Sequence, residues 1–461
     1  MSSQQSTLRA LAKAGMSLGV LRIASMALTL LVGILLARQL GAADYGIYAL
    51  AMAVVTFTGV LTEFGLPLLA MREFASADAK QNWGEVRGLV KWADRFILTI
   101  SAIIVGGFLA AALIWDFAKQ SVFLATMMWA IVLVPIVAIA KFRGLALLSL
   151  GHTFAGQFAV LVLRPGLFVV ALAVLWVSGS TLGPAEAMAW QFGAAFAALL
   201  CVLGLYLRYR PAAMLAAKPV NRWREWISAT IPMGMTEGLR LLQAQLAIVL
   251  LGVMMTSADA GLFRVADASA MVGLVFISIV NVVCAPHLAR LFAEQNLAEL
   301  QRLLGVVAFA MTFVVGVVTV IVTPFAGPLM SLVFGSEFAA SASPLVILLV
   351  GNTIACLFGP VSTLCNMTGL EKHVTVGSAL AVVAQLASAL VLIPLMGLDG
   401  AAISVVIGML LWRLFLTVKV RQIIGIDPGI LATDFRYLAD ALAQYATSLR
   451  SKNAGTKNGN P

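Results

Sequence analysis

Of the charged side chains inside long apolar runs, five stand away from the run ends in positions that could do chemistry. Arg164 and Arg240 each lie about ten residues into such a run, so about 15 Å deep at 1.5 Å per residue. Arg22 sits earlier in the first run, and Glu63 and Glu237 are the acids placed well inside runs. A charge near the centre of a bilayer costs roughly 2.5–3.5 kcal/mol on insertion scales, so each needs a compensating reason. Glu237, Arg240 and Gln243 recur at three-residue spacing, which sets them on one helical face and lets Glu237 neutralise Arg240 as a buried pair. Pro165 follows Arg164, where it removes a backbone hydrogen bond and is expected to kink the helix, freeing a carbonyl near Leu161. Three arginines against two acids make a net cationic cavity. Guanidinium groups offer such a cavity bidentate donors for an anion such as pyrophosphate. The expected substrate-binding residues are therefore Arg164, Arg240, Arg22 and Glu237. Glu63 is a candidate for ion coupling, with an ordinary ion pair to Arg72 as the competing reading.

The elements that must position these groups follow from composition. Of 461 residues, 61% are hydrophobic and 11% charged, against roughly 25% charged in a soluble domain. Apolar runs of membrane-spanning length recur from end to end, and in lipid such runs must be helices because every backbone polar group needs an internal partner. The runs fall at Met16–Ala37, Ile47–Leu69, Phe96–Trp115, Val122–Ala140, Phe154–Val177 and Ala185–Leu207. They continue at Trp226–Leu251, Asp267–Leu288, Leu303–Leu332, Ser343–Asn366, Val374–Leu395 and Gly400–Val418. The fold class expected is all-α and polytopic, with about twelve transmembrane helices.

Orientation follows from the loops. Arg72, Arg87, Lys91, Arg95, Lys141, Arg143, Arg208, Arg210, Lys218, Arg222 and Arg224 gather on one side, whereas the other shows Arg38, Lys119 and Arg264. Positive loops stay in the cytoplasm, which places both termini there and makes the net charge of +10 a topology signal rather than a mark of nucleic-acid binding. Arg413, near the cytoplasmic end of the last run, is read as snorkelling to the head groups. Trp223 and Trp226 are expected to anchor at the interface. Cys201, Cys284, Cys356 and Cys365 lie inside runs as small apolar packing residues, with no metal or disulfide spacing and no cofactor implied. Asn281, Asn352 and Gln385 suit either sugar hydroxyls or helix-to-helix hydrogen bonds.

A repeat joins the two halves. Residues 43–51 align with residues 258–266, with four of nine positions identical, and both copies occupy the same outer turn. Two six-helix lobes in parallel orientation are expected: residues 1–207, a cytoplasmic linker over 208–225, and residues 226–420. Asp44 and Asp259 are expected to cap helix starts, and Gly46 and Gly261 to permit tight entry. Residues 421–461 carry an amphipathic stripe (Leu431, Phe435, Leu438, Leu442, Tyr445, Leu449), expected on the cytoplasmic interface, and a polar end read as disordered.

The stretch Leu35-Leu36-Ala37-Arg38-Gln39-Leu40-Gly41-Ala42-Ala43-Asp44-Tyr45-Gly46-Ile47-Tyr48-Ala49-Leu50, followed by Glu63-Phe64-Gly65-Leu66-Pro67 and Met71-Arg72-Glu73, resembles the polysaccharide transporter family. Its members are flippases of the multidrug, oligosaccharidyl-lipid and polysaccharide exporter superfamily. The match covers the first two spans, and the rest is similar in topology, including the late turn at Gly397-Leu398-Asp399-Gly400. The resemblance implies movement of a sugar-bearing polyprenyl pyrophosphate across the inner membrane. The expected partners are that lipid-linked oligosaccharide, membrane lipids, and polysaccharide polymerase or export proteins. The competing reading in transport is a cation-coupled multidrug antiporter, which would need exposed intramembrane carboxylates; the first span offers Arg22 and no acid. A peptidoglycan-precursor flippase would share the same chemistry. A membrane-embedded sugar polymerase or ligase is disfavoured by outer loops of about fifteen residues, and the Gly-x-x-x-x-Gly-Lys-Ser/Thr phosphate loop does not occur. The chain is not expected to be an enzyme.

Overall fold

The computed structural model describes residues 2–114 and 121–430, and every regular element among them is helical. The expected amphipathic stripe from Leu431 to Leu449, and the polar end after it, lie outside the described residues. In chain order the α-helices are α1 (Ser2–Glu63), α2 (Leu66–Lys80), α3 (Trp83–Ile114), α4 (Ser121–Ser149), α5 (Thr153–Phe158), α6 (Arg164–Val177), α7 (Pro184–Tyr209) and α8 (Ala212–Ala216). They continue as α9 (Trp223–Met254), α10 (Ser257–Gly273), α11 (Val275–Ala293), α12 (Leu297–Val322), α13 (Ala326–Phe334), α14 (Ala342–Cys356), α15 (Val361–Met367), α16 (Glu371–Met396) and α17 (Leu398–Ile423).

Ten helical runs among the described residues are long and apolar enough to cross a membrane. This is fewer than the twelve expected runs because helices fuse and break where hydropathy does not change. The run Gly19–Glu63 has 45 residues, about 67 Å of helix against a hydrocarbon core of about 30 Å. It holds two of the expected spans, divided at Gly41, whose φ of 71° and ψ of 176° leave the helix. The span expected over Asp267–Leu288 is shared by α10 and α11, which part at Leu274. The span expected over Ser343–Asn366 breaks between α14 and α15, at the non-helical Gly359-Pro360.

The chain forms two compact units. Of the described residues, the first comprises 2–272 with 324–348 and 382–405, and the second comprises 273–323, 349–381 and 406–430. A core of the first is built from Phe74, Ile97, Phe142, Leu147, Val202 and Tyr206. Lipid supplies no hydrophobic drive between helices, so close backbone approach through small residues carries the packing. Gly144 of α4 and Gly156 of α5 lie against each other's carbonyls, where a methyl group would collide. In the second unit Leu288, Leu304, Met311, Cys356, Cys365 and Leu416 form the core. Arg413 donates to the Gly359 carbonyl at 3.1 Å, so it serves the helix break rather than snorkelling. Asn281 meets Thr363 at 3.3 Å in that unit, and in the first unit Gln385 donates to the Gln243 carbonyl at 3.2 Å, both as helix-to-helix bonds.

The repeat copies meet inside the first unit. A Cβ on Gly46 would strike the Ser257 carbonyl, and one on Gly261 would strike the Ala42 carbonyl. These glycines are thus required by reciprocal backbone contact between the copies, not by a tight helix entry. Asp259 does not act as the N-cap. It accepts from the Thr256 N–H (3.1 Å) and hydroxyl (2.6 Å) while its own N–H donates to Thr256 Oγ1 (3.2 Å), the reciprocal arrangement of a capping box. Asp44 lies past the Gly41 break, where Glu337 accepts the Ala42 N–H at 3.0 Å. Arg38 completes the exchange by donating to the Leu332 and Val333 carbonyls at the end of α13.

The linker lies along α3. Arg87 donates to the Leu215 and Ala217 carbonyls (2.6 and 2.7 Å), Val220 N–H to the Gly84 carbonyl (2.9 Å), and Arg222 pairs with Glu85 at 3.0 Å. Gly84 and Gly88, one helical turn apart, leave the room for this backbone approach. Trp226 is 3% exposed, packed with Leu69, Leu89 and Trp92, so it is a core residue rather than the interfacial anchor expected.

Candidate functional site

Arg164 opens α6 directly after a π-helical turn over Ala159–Leu163, in which the Arg164 N–H reaches back to the Ala159 carbonyl. Pro165 at the next position lacks an N–H, and the wider turn absorbs that loss; the predicted kink takes the form of a π-turn, a device common at functional sites. The turn faces α1 on both sides of Gly41. Ser25, Thr29 and Gly33 come from before the break, and Tyr45, Tyr48 and Ala49 from after it. Together with Gln191 of α7 and Arg264 of α10 they enclose a cavity of about 290 Å³, all within the first unit.

The electrostatics of this cavity are one-sided. No carboxylate lines it, and Arg164 has no hydrogen-bond or carboxylate partner among the described residues. Arg264 has a distant carboxylate partner in Asp267, at 3.9 Å, and the Tyr45 hydroxyl beside it. The neutral lining is hydroxyl-rich: Ser25, Thr29, and the stacked pair Tyr45 and Tyr48 with ring centroids 6.4 Å apart. Gln191 is 8% exposed, and its Oε1 has no hydrogen-bond partner among the described residues. Two guanidinium groups in a partly dehydrated, acid-free space make an anion site, because an uncompensated buried charge is costly and an anionic ligand relieves it.

The other expected site residues form a second cluster. Glu63 ends α1, where Phe64 (φ 35°) and Gly65 (φ 77°) turn left-handed before Leu66 and Pro67 open α2. Gly65 tucks against the Thr230 carbonyl and Gly234 amide of α9, which brings Glu63 beside that helix. Glu63 pairs with Lys141 at 2.5 Å and Arg72 with Glu73 at 2.8 Å, so the Glu63–Arg72 pair does not form. Arg240 grips Glu237 through Nε at 3.0 Å and Nη2 at 2.7 Å, but with 65% of its side chain exposed this pair is not the buried one expected. Glu63, Lys141 and Glu237 line one small cavity of about 120 Å³. Arg22 is exposed and lines neither cavity, although Ser25, one turn on, lines the first. The structure thus separates Arg164 from Arg240.

Residues that sequence reasoning missed have traceable signals. Arg264 occupies the repeat position equivalent to Ala49, which also lines the cavity, so the repeat itself points there. Tyr45 and Tyr48 sit three apart in the motif 43–51, on one helical face. Lys141 directly follows the apolar run that ends at Ala140, and loop counting assigns it to topology. Arg143 of α4 is 7% exposed, holds Asp94 of α3 at 2.6 and 2.8 Å, and lies over the Tyr206 ring at 4.9 Å, a buried tie with no signal in spacing.

In fold the chain is similar to solved transporters. An inward-facing multidrug resistance MATE family transporter of the MOP superfamily is 15% identical, with a TM-score of 0.72 over 88% of this chain and 97% of that one. The lipid II flippase MurJ in an inward closed conformation is 10% identical, with a TM-score of 0.61 over 88% and 87%. A MOP superfamily transporter from Pyrococcus furiosus, reported with a reversed polarity of its binding pocket, is 15% identical, with a TM-score of 0.60 over 89% and 95%. No curated protein matches the chain in sequence. The model of the family described as polysaccharide biosynthesis protein matches residues 11–292, which run from the first turns of α1 into the end of α11 and hold every residue of the arginine-lined cavity. The chain belongs to that family of polysaccharide biosynthesis proteins, and its fold is that of the solved transporters.

Proposed function

We infer that this protein is a flippase that carries an oligosaccharide on a polyprenyl pyrophosphate across the inner membrane by alternating access, for surface polysaccharide biosynthesis such as lipopolysaccharide or exopolysaccharide. The observation that carries this reading is Arg164, unpaired among the described residues, beside Arg264 in a cavity that none of their carboxylates lines. The diphosphate of the substrate supplies the missing negative charge, and the polyprenyl tail stays in the bilayer. At about 290 Å³ the cavity is at the small end of ligand pockets, which run from about 300 to 1,000 Å³. It suits a head group rather than a whole oligosaccharide. A cation antiporter draws less support, because the carboxylates of the second cluster, Glu63 and Glu237, already hold Lys141 and Arg240. Both termini lie in the cytoplasm in this reading, and membrane lipids and a polysaccharide polymerase or export proteins are its partners.

The test is transport in proteoliposomes of a fluorescent polyprenyl-pyrophosphate oligosaccharide, run beside a cationic dye. Arg164→Ala and Arg264→Ala are expected to slow glycolipid movement about tenfold or more, the scale of a lost charge-assisted hydrogen bond. Arg240→Ala, outside the cavity, is expected to slow it far less. Dye movement driven by an ion gradient and indifferent to Arg164 would replace this reading with the antiporter.

A further inference from the structure

The two arginines account for an anion and leave the rest of the cavity lining unexplained. Facing them are a carboxamide and four hydroxyl groups, on Gln191, Ser25, Thr29, Tyr45 and Tyr48. Thr29 is committed, donating to the Ser25 carbonyl at 2.7 Å. Gln191 is different: it is buried on α7, lines the cavity, and its Oε1 finds no partner among the described residues. A buried amide oxygen without a hydrogen bond is costly. The paired positions on facing helices also differ in depth. Arg164 begins α6 and lies thirteen residues from its end at Val177, about 20 Å along the axis, whereas Gln191 is seven residues from the start of α7 at Pro184, about 10 Å. Counted along the helices, the backbone of Gln191 therefore lies nearer the α6–α7 turn than that of Arg164 does, while both side chains line the one cavity.

We propose that Gln191 is a specificity-determining residue that hydrogen-bonds the sugar attached directly to the diphosphate, while Arg164 and Arg264 hold the phosphates. The assignment rests on the anion-site reading above and names the part of the substrate next to the anion. A sugar hydroxyl both donates and accepts, and an acetamido group does so too, so either satisfies both ends of a carboxamide. An unglycosylated pyrophosphate has no such donor to give. Sites built to hydrogen-bond a substrate group discriminate against ligands lacking it, because their own polar atoms are then left unpaired. The stacked rings of Tyr45 and Tyr48 add an apolar wall with polar tips to the same space.

The experiment compares two probes on the full-length protein in nanodiscs: farnesyl pyrophosphate, and the same lipid carrying one N-acetylglucosamine on its diphosphate. Equilibrium Kd values are measured for wild type, Gln191→Leu, Gln191→Asn and Arg164→Ala. Gln191→Leu is expected to leave farnesyl pyrophosphate binding within about twofold and to weaken the glycosylated probe about tenfold, the effect of one lost hydrogen bond with its partner stranded. Gln191→Asn, which keeps the amide on a shorter stem, is expected to fall between. Binding of farnesyl pyrophosphate doubles as the folding control for the two Gln191 variants, with size-exclusion behaviour and thermal unfolding as the control for Arg164→Ala, and a Gln191→Leu protein that fails its control leaves the ratio in Gln191→Asn to decide. A ratio of the two Kd values unchanged in the surviving variant overturns the role of Gln191 while leaving the anion site intact. Farnesyl pyrophosphate that binds equally well to Arg164→Ala overturns the anion site itself, and with it the placement of the sugar.

Discussion

Glu63 keeps a carboxylate within an apolar helix by taking Lys141 as its partner at 2.5 Å, and the two side chains are unequally sheltered, 12% and 36% exposed. Removing the lysine strands a largely buried charge, which in a fully buried pair costs roughly 3–5 kcal/mol; with Lys141 partly solvated the expected loss for Lys141→Ala is about 1–2 kcal/mol. Replacing the acid as well, Glu63→Gln with Lys141→Ala, removes the stranded charge and is expected to recover most of that loss. Thermal unfolding of the purified variants checks both, and a single variant as stable as wild type would show the pair to be solvated and idle. The partner of Glu63 is not legible in the chain, because Lys141 is 78 residues away and joins Glu63 only through helix packing. Arg164 is legible, since a charge amid Val162, Leu163 and Leu167 has no soluble explanation. Arg264 is not. It follows closely on Ser257, where α10 begins, and reads as part of an outer turn until the repeat copies are seen to touch at Gly46 and Gly261.

At the scale of elements, the meeting of α1 and α10 depends on hydrogen atoms where other residues carry a side chain. A methyl group on Gly46 would enter the Ser257 carbonyl, and no rotamer change relieves a clash with backbone. Gly46→Ala is therefore expected to cost about 3 kcal/mol or more, at the upper end of overpacking effects. Gly59→Ala, on the same helix with open space around it, is expected to be neutral or to stabilise by up to about 1 kcal/mol through helix propensity. Melting temperatures of the two variants, measured in one detergent, decide the matter: equal values would mean that the helices do not approach as closely as described. The helical runs themselves are legible from hydropathy, because lipid allows so few alternatives. The breaks at Gly41, Leu274 and Gly359-Pro360 are not, since apolar residues continue on both sides of each and tertiary partners such as Glu337 and Arg413 hold the chain there.

For the whole molecule, the basic loops and the helical runs make one joint statement about orientation. The turn between α6 and α7, residues 178–183, carries no Lys or Arg, whereas the linker before α9 carries Arg210, Lys218 and Arg222 and the first turn of α9 adds Arg224. Retention of positive loops predicts the linker in the cytoplasm and the α6–α7 turn outside. A single run, α7, separates these two segments, so they must lie on opposite faces if α7 crosses the membrane. The prediction is made on a background in which Cys201, Cys284, Cys356 and Cys365 are replaced by serine or alanine, with one cysteine restored at Ser180 or at Lys218. An impermeant maleimide added to intact spheroplasts is expected to label Ser180→Cys at once and Lys218→Cys only after the membrane is opened. The reverse pattern would invert the molecule, so that the α6–α7 turn, toward which Gln191 is displaced from Arg164, would face the cytoplasm, and the direction of glycolipid movement would have to be argued again. Labelling of both positions from outside would mean that α7 does not cross, which would remove the wall of the arginine-lined cavity that α7 supplies.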